Sequence, residues 1–159
     1  VSELKKDLEG LNGWLMIVGM GVLFTPLRML FVFPEMYVNL FNSANWVDMI
    51  TPGSGTYNAA WKPLVFTEVL FNCAMLLASL ALIYLFFAKK RRFPMLFIVL
   101  QVAGILFIVC QSMIIHLILP TEPLFDPDTS GDLVRSLLAA LIWVPYMLVS
   151  ERVEQTFVE

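Results

Sequence analysis

A chain of 159 residues that is 59% hydrophobic and only 14% charged, with a mean hydropathy of +0.80, is no ordinary soluble domain, since those carry about a quarter charged residues. A net charge of −3 gives no general attraction to polyanions, so nucleic acid is excluded as a partner. The apolar excess falls in long blocks, and the length fits one integral membrane domain over residues 1–159.

A helical span needs about 20 apolar residues at about 1.5 Å each. Four blocks qualify, over about residues 14–33, 64–87, 93–119 and 133–149. Lys5 and Lys6 precede the first block, but that block is too long for a signal peptide and lacks a small-x-small cleavage site, so it reads as an uncleaved span. It contains Pro26 and, two residues later, the permanent charge of Arg28.

The stretch that follows, "PEMYVNLFNSANWVDMITPGSGTYNAAWK", is rich in Tyr and Trp, which favour the headgroup zone. It predicts a short helix on the outer membrane surface, with Met36, Leu40 and Val47 on one face, ended by the Pro52-Gly53 turn. The alternative is an ordered loop packed over the bundle.

After the second block comes "KKRR", residues 89–92, a strong cytoplasmic-loop signal. The connection after the third block carries Glu122, Asp126, Asp128 and Asp132 and no cation, and belongs outside. These charges predict an all-α four-helix bundle with both termini in the cytoplasm. "TSGD" reads as the start of the fourth helix, capped by Thr129 or Ser130, and Pro145 predicts a kink near its end. The tail "SERVEQTFV" continues without glycine or proline, so Val153 and Phe157 lie one turn apart on a face that docks under the bundle or on a protein partner.

The polar residues of the blocks gather in the outer half. Arg28 lies five residues before Phe33, about 7.5 Å below the outer boundary at helical rise. Glu68 lies five residues after Pro63 and comes out at the same depth, so the two are expected to pair. A lone charge at a span's centre costs on the order of 2.5–3.5 kcal/mol, which such a pair would offset. Asn72, Gln111, His116 and Arg135 share this half. Arg28–Glu68 is either a structural brace or part of a site. Asn72 and Gln111 are either interhelical glue or ligand contacts, and His116 is either interfacial or a proton carrier. Arg135 either snorkels or binds.

No cofactor or metal is expected: one histidine, and two cysteines (Cys73 and Cys110) inside apolar blocks, make no ligand set. No phosphate loop or nucleophile elbow is present. Residues "GWL" (13–15), "WKPLVFTEVLFN" (61–72), "KKRRFP" (89–94) and "WVPYMLVSERVEQTFV" (143–158) together resemble the YdgK-like family of small bacterial inner-membrane proteins, a domain of unknown function. The resemblance implies four spans in a bacterial inner membrane and supplies no activity or site residue. The favoured reading is a non-enzymatic module binding a lipid or small amphiphile in an outward polar pocket. The alternatives are a transporter or channel subunit and an assembly partner of a larger complex.

Overall fold

The computed structural model describes residues 13–158, and within them all regular structure is helical. Lys5 and Lys6 lie outside the described residues. In chain order the helices are α1 (Trp14–Phe41), α2 (Ala44–Ile50), α3 (Trp61–Phe87), α4 (Phe93–Ile118), α5 (Pro127–Val149) and α6 (Glu151–Thr156). Four of them, α1, α3, α4 and α5, are long and apolar enough to cross a membrane. The chain is a multi-pass membrane protein.

Each long helix packs mainly on the next: α1 on α3, α3 on α4, and α4 on α5. Leu70, Leu117, Leu141 and Val149 point away from the bundle and suit contact with acyl chains rather than water. The Lys89–Arg92 loop and α6 share one end, the basic end. The 42–60 and 119–126 connections share the other, the acidic end.

An apolar core sits at each end. At the basic end Leu15, Val18 and Val22 of α1 meet Leu82, Phe86, Phe93, Met147, Val153 and Phe157. The Phe157 ring stacks on Phe93 at 4.5 Å and tilts against Phe86 at 6.0 Å. The tail therefore docks its Val153–Phe157 face under its own bundle. Phe86 reaches the α1 backbone because Gly19 has no side chain: a Cβ there would lie 2.7 Å from the Phe86 Cζ. The α3 helix ends with Lys89 at φ +50°, and Lys90 N–H donates back to the Leu85 carbonyl at 2.9 Å. That left-handed C-terminal turn normally selects glycine.

At the acidic end Trp46 of α2 packs with Trp61 and Val65 of α3, backed by Leu40 and Ile118. The first connection is thus folded over the bundle, and its helix is shorter than predicted. Residues 34–41, assigned to that helix, instead prolong α1 through Pro34. A proline removes one helical hydrogen bond, but the chain's stop signal comes only at Asn42-Ser43, where Ser43 accepts a bond from Trp46 N–H at 3.1 Å and caps α2.

The fourth span also starts earlier than predicted. Its cap is Asp126, not Thr129 or Ser130: one carboxylate oxygen accepts from Asp128 N–H and Thr129 N–H, each at 2.9 Å. Pro127 follows at the first helical position, where a missing N–H costs nothing. The Thr129 backbone bond is the main cause holding the Asp126 carboxyl below its ordinary pKa. Helices α1 and α5 run on through Pro26 and Pro145.

Candidate functional site

The six predicted polar residues fall into three places. The first joins α1, α3 and α4. Glu68 accepts a hydrogen bond from the Tyr37 hydroxyl at 3.2 Å on one oxygen and from Gln111 Nε2 at 2.7 Å on the other. Asn72 Nδ2 donates to the Tyr37 oxygen at 2.7 Å. All four side chains are half-buried. A carboxylate held by two donors on two other helices fixes their register, and such charge-assisted bonds are roughly twice as strong as neutral ones. One turn toward the basic end, Phe71 and Phe107 stack at 3.8 Å and give the cluster an apolar floor.

Arg28 is not in this cluster, so the expected Arg28–Glu68 pair does not form. The depth estimate placed the end of the first helix at Phe33. The helix continues to Phe41, and the residue that reaches Glu68 is Tyr37, about 13 Å further along at 1.5 Å rise. Among the described residues Arg28 has no ion-pair partner. It faces a second place, a cavity of about 330 Å³ between α1, α4 and α5, lined also by Thr25, Phe33, Asp132 and Arg135. Arg135 donates to Asp132 at 2.8 Å, with the two side chains 69% and 58% exposed. Such a pair holds little energy and leaves the guanidinium open to a better partner.

His116 stands apart. Its Nδ1 lies 2.9 Å from the Glu122 carbonyl, an acceptor, so the ring donates there and ties the α4–α5 connection to the helix end. Cys73 and Cys110 are free thiols. No three His, Cys, Asp or Glu side chains converge among the described residues. The hydroxyls of Thr25, Thr67, Ser79 and Ser112 all donate to carbonyls of their own helices, which leaves them poor nucleophiles.

Residues 8–158 match the family described as "Protein of unknown function (DUF2569)". The chain belongs to the DUF2569 family. No curated protein and no solved structure matches it.

Two residues of this DUF2569 protein were missed as site members. Tyr37 was assigned to the outer loop, and the absence of any glycine between Pro34 and Phe41 was the signal that the helix goes on. Asp132 was read only as a sidedness marker. Its position three residues before Arg135 on a helix is the ordinary spacing of an ion pair.

Proposed function

We propose that this DUF2569 protein is a non-enzymatic binding module that holds the anionic head of a lipid or small amphiphile between Arg28 and Arg135. The observation that carries the reading is Arg28 itself: a permanent charge within a membrane-spanning helix, facing a cavity and without an ion-pair partner among the described residues. Charges so placed mark sites or partners, because an unmatched one costs several kcal/mol on the order of the insertion scales. Arg28 and Arg135 outweigh Asp132, so the lining carries net positive charge. A volume of about 330 Å³ accommodates a head and the start of a tail. The extensive helix contacts do not include one between α1 and α5, so that side of the cavity is where a lipid would enter from the bilayer. In this reading the Glu68 network is the brace that keeps α1, α3 and α4 in register beside the site.

The Lys89–Arg92 loop faces the cytoplasm by the positive-inside rule, and Asp132 and Arg135 place the cavity in the opposite half of the bundle. In this reading the membrane is a bacterial inner membrane, which rests on the sequence resemblance to YdgK-like proteins alone. Native mass spectrometry of gently extracted protein tests the reading. The expected result is a discrete retained mass with a phosphate or carboxylate head, lost in Arg28→Gln while the variant remains folded. A clean, adduct-free wild-type mass overturns it.

A further inference from the structure

A separate groove opens at the basic end. Helix α5 stops at Val149, Ser150 is extended at φ −76° and ψ 116°, and α6 turns away beneath the bundle. The bend leaves a cavity of about 550 Å³ between the first turn of α4, the end of α5 and α6. One part of its wall is apolar: Pro94, Leu148 and Val149, of which Leu148 and Val149 are 71% and 79% exposed, toward the bilayer. The other part carries Arg91, Ser150 and Glu154. Arg91 and Glu154 have opposite charges, yet no ion pair joins them; Arg91 comes from the loop before α4 and Glu154 from α6, and both line one space.

We propose that this groove holds the headgroup of a zwitterionic phospholipid bearing a primary amine, with its phosphate on Arg91 and its ammonium on Glu154. A guanidinium presents paired N–H donors that match phosphate oxygens. A carboxylate accepts hydrogen bonds from a primary ammonium, which has three N–H groups, but receives none from a quaternary one. Quaternary ammonium groups are held instead by aromatic cages. The ring lining this groove, Phe157, is buried 4.5 Å from Phe93 and has no face to offer. A purely anionic head would satisfy Arg91 but meet Glu154 with like charge. The apolar wall continues into the exposed apolar surface of α5, against which the acyl chains of such a lipid would lie. The proposal is independent of the Arg28 cavity, which opens at the other half of the bundle.

The test uses the full chain, delipidated in detergent, with added phosphatidylethanolamine, phosphatidylcholine or phosphatidylglycerol of identical chains, read by native mass spectrometry. Phosphatidylethanolamine should bind at least about tenfold tighter than phosphatidylcholine, the worth of one charge-assisted hydrogen bond. Glu154→Gln should erase that preference while phospholipid still binds. Arg91→Gln should weaken all three lipids. Arg28→Gln should leave the preference intact, which separates this groove from the outward cavity. Arg91 and Glu154 are exposed, so their variants should unfold at the wild-type temperature without lipid. Equal binding of ethanolamine and choline lipids, a preference for phosphatidylglycerol in the Arg28→Gln variant, where the outward cavity no longer competes for anionic heads, or an ethanolamine preference that survives Glu154→Gln would each overturn the proposal.

Discussion

Replacing Gly19 by alanine tests how the basic-end core is closed. An ideal Cβ at Gly19 would lie 2.7 and 2.8 Å from two atoms of the Phe86 ring. Carbon atoms pack best at about 3.5–4.0 Å, so the ring must retreat by roughly 0.7 Å or more. Phe86 is only 2% exposed and is held by Phe93 at 5.1 Å and Phe157 at 6.0 Å, so nothing around it can yield without moving the docked tail. Overpacking of this kind costs about 1–3 kcal/mol. Against it stands the helix-propensity gain of Gly→Ala, about 0.5–1 kcal/mol. Gly21, on the same helix, supplies the control, since a Cβ there meets nothing within 4 Å. Gly21→Ala takes the propensity gain alone, so the two variants should differ by about 1–3 kcal/mol, with Gly19→Ala the less stable. Reversible unfolding in mixed micelles measures that difference. Trimming the ring in a Gly19→Ala/Phe86→Leu double variant should recover part of the loss relative to Phe86→Leu alone. Equal stability of the two alanine variants would refute the close-approach argument.

Other outcomes follow from the same packing and hydrogen bonds. Phe157→Ala should cost about 3–5 kcal/mol and release α6, seen as proteolysis near Ser150; an unchanged unfolding midpoint would show that the tail is not part of the core. Tyr37→Phe removes a donor from Glu68 and an acceptor from Asn72, so about 1.5–3 kcal/mol should be lost; the loss should shrink sharply in a Glu68→Gln/Asn72→Leu background if the three act as one network. Lys89→Gly should stabilise by up to about 1 kcal/mol, because Lys89 holds φ +50°; destabilisation would mean that the lysine side chain matters more than its backbone. The Asp126 carboxyl has a lowered pKa in the folded chain, so its stabilisation is complete above the ordinary carboxylate range and fades as pH falls through the folded value. Amide exchange at Asp128 and Thr129, corrected for intrinsic rate, should accelerate below about pH 4 in wild type and be fast at all pH values in Asp126→Ala. Protection that persists in Asp126→Ala would rule out the cap.

What could be read from residues alone was governed by how local the signal is. The four apolar blocks and the "KKRR" turn declare themselves, and α3 and α4 end within a few residues of the predicted limits. Helix ends set by a cap were harder. Asp126-Pro127 is a strong start signal, but it lay in a stretch already assigned to a loop by its acidity. Pro34 had the opposite effect: it suggested a boundary where the chain merely loses one hydrogen bond. That single misplaced end displaced the depth estimate and paired Glu68 with Arg28 instead of Tyr37. The gathering of Glu68, Asn72 and Gln111 was legible because intramembrane polar groups must find one another. Their junction with Tyr37 was not, because it depends on where another helix stops.

The packing order has a consequence for how the bundle comes together. Every extensive helix contact joins spans adjacent in the chain, so each span can be added to the one before it as the chain is inserted, with little loop to close. No earlier span must wait for a distant partner. The exception is the seam between α1 and α5, joined at the basic end through Trp14 and Trp143 at 6.3 Å. It needs the first and last spans together, so it can close only once the fourth span is in place.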